Sequence, residues 1–159
     1  SMLIPDSVDP WVYSSPTRQW RHGEAARIAL AVIPTEGSVA ANTSLVPLLA
    51  QRQALVRFPF STSYIGRNGK SQDVDWIAVD LNLLERYGIA FRGDWKQLLK
   101  SRRWIQEHRE SHSVQALSDG VLVMKRGGAR QEALELALDR AMSRPLPTDP
   151  KRRSKRNAQ

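Results

Sequence analysis

The order of elements between Ala25 and Leu81 constrains this chain more than any single motif. Residues 25–59 read as helix, strand, helix, strand, and Asp75-Trp-Ile-Ala-Val-Asp-Leu81 then reads as a third strand buried on both faces. A near-continuous apolar strand needs cover on both sides, and crossover helices supply that cover in parallel sheets. The 12 residues from Asn42 to Gln53 are about the shortest connection that joins two parallel strands, and such a crossover is expected to be right-handed.

The rest of the chain fits around that half-sheet. Ser15 and Pro16 open a first helix over residues 17–32, with an apolar stripe of Ala25, Ile28, Ala29 and Val32, ended by Pro34. Ser38–Ala41 is the first strand, Leu45–Gln51 a short helix and Ala54–Pro59 the second strand. Residues 60–72 are polar and turn-rich, and read as a loop with Asn68-Gly69 as its turn. Leu83–Gly93 is a connector or short helix. Asp94 caps a longer helix to Arg109, with Trp95, Leu98, Leu99 and Ile105 inward. Val114–Leu117 and Val121–Lys125 flank Ser118-Asp119-Gly120 as a hairpin. A last helix covers residues 129–142, with Leu134, Ala137, Leu138, Ala141 and Met142 at helical spacing.

The expected fold class is α/β. It is a three-layer α/β/α sandwich on a mixed sheet, with three parallel strands in order 2-1-3 and the C-terminal hairpin adding an antiparallel strand beside the third, a Rossmann-like half. Residues 1–16 are an extended lead-in or tether, 17–143 one domain, and 144–159 a disordered basic tail. A hydrophobic content of 41% in 159 residues suffices for one core. Of the net charge of +8, residues 144–159 carry +5, which leaves the remainder only mildly basic. Without cysteine there is no disulfide, thiolate metal site or cysteine nucleophile. The longest apolar run, Ile28–Ile33, falls well short of the roughly 18–20 residues that span a bilayer. Ser1 before Met2 resembles a cloning scar, so the chain is expected to be a piece of something longer.

No catalytic or metal motif survives inspection. Gly66-Arg-Asn-Gly-Lys-Ser71 lacks the first glycine of a phosphate loop and precedes a strand instead of a helix, which leaves a surface loop in which Arg67 and Lys70 are anion contacts at most. Asp73-Val-Asp75 has the spacing of a metal-holding DxD motif, but a hard cation wants more oxygen ligands. His108 and His112, four apart, would share a helix face, yet Arg109 follows the first histidine where a zinc hydrolase has glutamate. His22 is isolated and reads as exposed. The five tryptophans read as packing groups, and Lys96, Lys100, Arg102 and Arg103 as a solvated basic face. The best ligand-binding candidates are Asn42, Thr43 and Ser44, where a strand's carboxyl end meets a helix start, and Asp80, at the carboxyl end of the third strand. Helix capping is the competing role for each. No catalytic residue, metal or cofactor is expected.

A series of words carries more than these motifs. Ala26–Asn42, Leu45-Val-Pro-Leu-Leu49, Arg57-Phe-Pro59, Val74–Leu81 and Asp119–Gly127 follow one another in a pattern that resembles the C-terminal soluble part of a family of predicted polytopic membrane proteins of unknown function. That family is in turn similar to GT-C glycosyltransferases, which use lipid-linked sugars. The resemblance covers about residues 16–127, and departs from the family at Leu48, where histidine is common. It implies a transmembrane part before residue 1, a tether through Trp11, an extracytoplasmic side for this domain and no catalytic residue within it. The transmembrane part of the same polypeptide is then the implied partner, with anionic lipid a second through the basic tail. A free-standing domain binding a nucleotide or sugar phosphate, or acting on one, is an alternative. A nucleic-acid module driven by the tail is another, although nucleic acid is the less favoured partner.

Overall fold

A computed structural model describes residues 15–158. Helix α1 (Pro16–Leu30) starts where expected, with the Ser15 hydroxyl accepting from the Arg18 N–H. Strand β1 (Val39–Ala41) is followed by a 3-10 helix over Thr43–Leu49, with Asn42 at its N-cap, and then by β2 (Leu55–Arg57). Residues 60–72 are not a plain loop. They contribute β3 (Ser63–Ile65) and the first part of β4 (Ser71–Asp73), a small separate antiparallel hairpin turning at Asn68-Gly69. Next come β5 (Trp76–Asp80), α2 (Leu81–Gly88), α3 (Arg92–Glu107), β6 (His112–Ser118), β7 (Val121–Arg126) and α4 (Glu132–Met142).

The main sheet runs β2-β1-β5-β7-β6. β1 pairs in parallel with β2 and β5, whereas β7 lies antiparallel to β5 and β6. The mixed α/β sandwich and the 2-1-3 order of the parallel strands therefore hold.

Alternation along the strands divides the core into two. Val39, Ala41, Trp76, Ala78, Val121 and Val123 meet α1 and the 3-10 helix on one face. Ala40, Ile77, Val79, Leu122 and Met124 meet α2, α3 and α4 on the other. All five β5 residues are buried, and full burial of a side chain such as Ile77 contributes about 1.5–3 kcal/mol.

The α1 face corrects the expected stripe. Ala26, Ala29, Leu30 and Ile33 are buried, while Ile28 and Val32 are exposed. The sheet presents alanines and valines there, and small residues on the helix allow close approach. In α3, Phe91 is the N-cap and Asp94 sits within the first turn. The buried α3 residues include Ser101 and Arg102 beside Leu98 and Ile105. Arg102 does not belong to a solvated face. It is 9% exposed and donates to the backbone carbonyls of Met142 and Arg144.

The chain beyond α4 is also ordered differently from expectation. Residues 150–157 form helix α5 (Pro150–Asn157), not a structureless tail. The Asp149 carboxylate accepts from the Lys151 N–H at 2.9 Å and pairs with Arg92 at 3.5 Å. Pro150 occupies the first turn, where its missing N–H costs nothing. Residues 1–14 of the expected lead-in lie outside the described residues.

Candidate functional site

The connections that leave the carboxyl ends of β1 and β5 go to opposite faces of the sheet. The 3-10 helix after β1 packs Leu45 and Leu49 with α1, and α2 after β5 packs Leu81 and Leu84 on the other side. A crevice opens at such a switch point, and open α/β sheets bind ligands there.

Two of the sequence candidates meet in that crevice. The buried Asn42 accepts from the Asp80 backbone N–H through Oδ1 at 2.9 Å and donates through Nδ2 to Ser44 Oγ at 3.0 Å. The Asp80 carboxylate caps α2 by accepting from the Leu83 N–H at 3.0 Å. Thr43 and Ser44 are exposed beside them. Arg67 and Lys70 lie elsewhere, exposed on the β3–β4 turn.

His22 completes the arrangement and is neither isolated nor exposed. Its Nε2 lies 2.5 Å from Asp80 Oδ2 and its Nδ1 lies 2.7 Å from Asp119 Oδ2, with 13% of the side chain accessible. Asp119 stands in the β6–β7 turn at φ 47° and accepts from Asn82 Nδ2 at 3.1 Å. Ionised carboxylates only accept, so both bonds at once require both ring nitrogens to carry hydrogen. Burial works against that charge, but the hydrogen bonds to Asp80 and Asp119, helped by their negative charge, raise the His22 pKa. The result is a chain of polar contacts, Asn42–Asp80–His22–Asp119–Asn82, which ties α1, β1, the start of α2 and the hairpin turn together. Both imidazole nitrogens are engaged, so His22 has no lone pair to offer a substrate.

The signal for His22 was present in the sequence. Residues 22, 26, 29, 30 and 33 share one helical face, and a stripe drawn through them includes the histidine.

The remaining candidates are dispersed. Asp73 and Asp75 lie at the amino end of β5, away from Asp80, and both face Arg126, at 3.8 and 2.9 Å. His108 and His112 do not share a helix, because α3 ends at Glu107 and His112 opens β6. They pack instead with Trp104, which stacks on His108 at 3.9 Å between centroids and meets His112 edge-on at 4.9 Å. Among the described residues no group of three or more His, Asp or Glu could hold a metal.

Burial, followed by the charges of His108 and Arg126, holds the His112 pKa down to about 4. The unfolded chain therefore binds a proton that the folded chain refuses between about pH 6.5 and 4. Stability contributed by neutral His112 is complete above about pH 6.5 and drains away as pH falls toward 4. Thermal melts at pH 7 and 4.5 are expected to show a larger loss of Tm in the parent than in His112→Gln.

The fold and this end-of-strand polar cluster define an α/β sandwich domain with a filled switch-point crevice. The chain matches the family described as "Predicted membrane protein (DUF2079)" over residues 1–123, and it belongs to that family. No curated protein and no solved structure matches it. Among the described residues no helix is long and apolar enough to cross a membrane.

Proposed function

We propose that this chain is an extramembranous, non-catalytic domain of a multi-spanning membrane protein resembling a glycosyltransferase, lying on the extracytoplasmic side. Its role is to support the transmembrane part of the same polypeptide or to hold that part's partner. One observation carries the non-catalytic reading. In the crevice where sheets of this kind bind ligands, Asn42, Asp80, His22 and Asp119 bind one another. Membership of a membrane-protein family supports the context. The glycosyltransferase-like body rests on the sequence resemblance alone.

The topology is testable by labelling, since this chain has no cysteine of its own. Lys70→Cys places a thiol on the exposed β3–β4 turn of the full-length protein, with any other cysteines removed. An impermeant thiol reagent is expected to label it in intact cells. Labelling only in inside-out vesicles would move the domain to the cytoplasmic side. Protection in both, with reaction after solubilisation, would overturn the extramembranous reading.

The exposed Thr43 and Ser44 beside Asn42 favour a second reading, a domain that binds a nucleotide or sugar phosphate. Saturable thermal stabilisation by a nucleotide sugar or polyprenyl phosphate, lost in Asn42→Ala, would establish that reading in place of the first.

A further inference from the structure

The segment between α4 and α5 is strapped onto α3. The buried Arg102 donates to the carbonyls of Met142 and Arg144, Trp95 Nε1 donates to the Pro147 carbonyl at 2.7 Å, and Arg92 pairs with Asp149. These ties fix α5 beside the end of α2. Between them lies a pocket of about 860 Å³ lined by Ile89, Pro147, Thr148, Arg152, Arg153 and Arg156.

The pocket has two kinds of wall. Ile89 and Pro147 are apolar, and the neighbouring Leu146 and Phe91 are exposed at 44% and 53%. The other wall is cationic. Arg152, Arg153 and Arg156 are spaced to share one side of α5, while Lys151 and Lys155 are not among the lining residues. None of the three arginines has an acidic partner among the described residues, and Asp149 is already engaged by Arg92. Guanidinium groups match phosphate oxygens with paired donors. An apolar floor beside a triple guanidinium rim suits a molecule that joins a phosphate to a hydrocarbon chain.

The geometry points to this pocket as a docking site for the phosphate headgroups of an anionic bilayer, with Ile89 and Pro147 meeting the first methylenes below the headgroup. The inference rests on the chain's being a domain of a membrane protein, and it names the lipid surface as the partner of α5. It also separates a shaped site from diffuse attraction, because the lysines on the same helix serve as an internal control.

The test is sedimentation of the full chain with vesicles of phosphatidylcholine alone and of phosphatidylcholine with phosphatidylglycerol. Binding is expected only to the anionic vesicles. Each cation near such a surface strengthens binding about fivefold, so Arg152→Gln with Arg156→Gln is expected to weaken it about 25-fold. Lys151→Gln with Lys155→Gln removes equal charge and is expected to cost less than about fivefold. Ile89→Ser keeps every charge and is expected to weaken vesicle binding severalfold with Tm nearly unchanged. Equal losses in the arginine and lysine pairs would overturn the site in favour of nonspecific charge. Binding of inorganic phosphate or of single-stranded DNA as tight as that of vesicles would overturn the lipid assignment, and so would no binding at all. Thiol labelling of the full-length protein is independent of this result. Extracytoplasmic labelling without vesicle binding would sink the lipid site and spare the topology.

Discussion

Gly120→Ala is expected to destabilise the domain by about 3 kcal/mol or more, the range that marks strain combined with overpacking. Gly120 adopts φ +78°, a left-handed conformation that a Cβ disfavours by about 1–2 kcal/mol. Space is the larger problem. A Cβ at this position would lie 2.5 Å from Asn82 Cβ and 2.9 Å from the Asn82 backbone nitrogen, and neither can swing aside as a flexible side-chain tip would. The turn cannot retreat cheaply, because the Gly120 carbonyl accepts from the Leu81 N–H at 2.9 Å and Asn82 holds Asp119. Gly69 provides the matched control. It has φ +73° with nothing within 4 Å of its would-be Cβ, so Gly69→Ala pays for the backbone alone, the same about 1–2 kcal/mol. Urea unfolding of the two variants measures the difference. Equal losses would mean that the approach of the hairpin turn to α2 is looser than its geometry indicates.

That turn was legible in the sequence, and its partners were not. Asp119-Gly120 between two apolar runs is a local signal, since both positions need positive φ and these residue types supply it. The parallel strands were legible for a similar reason. Val39–Ala41 and Trp76–Asp80 are apolar enough to require cover on both faces, and the length of the first crossover limits how they pair. The β3–β4 hairpin was not legible, because three-residue strands with mostly exposed polar side chains carry no alternation to detect. Helix α5 was hidden by composition. Five cations in eight residues look like a solvated tail, and the contacts that order it come from Arg92, Trp95 and Arg102, some fifty residues away.

The candidate site divides along the same line. Asn42 and Asp80 were found because position at a strand's carboxyl end can be read from element order. His22 was missed because its partners lie 58 and 97 residues away. A stripe centred on the bulkier Ile28 and Val32 is also rotated away from the face that His22 shares with Ala26, Leu30 and Ile33. Against a sheet face of alanine and valine, the helix turns its small residues inward, and size is a poor guide to burial there.

Asp80→Ala is expected to cost about 2–3 kcal/mol near pH 6, where His22 is charged. About 1 kcal/mol is the lost cap of α2, and the remainder is the charge-assisted bond to a mostly buried imidazolium. Asp80→Asn separates the two, since asparagine caps a helix about as well as aspartate but removes the negative charge that His22 faces. The pH dependence carries the sign. The His22 pKa is raised on folding, so its contribution is complete below about pH 6.5 and is lost as pH rises through the higher folded value. The gap in stability between the parent and Asp80→Asn should therefore be widest near pH 6 and narrow toward pH 9. Denaturant titrations at those two values measure it, and the double variant with His22→Gln shows whether the gap belongs to this pair. A gap that stays constant with pH, or persists in the absence of His22, would leave Asp80 a helix cap only. It would also detach α1 from the strand ends, removing the physical basis for reading the crevice as closed by the domain's own side chains.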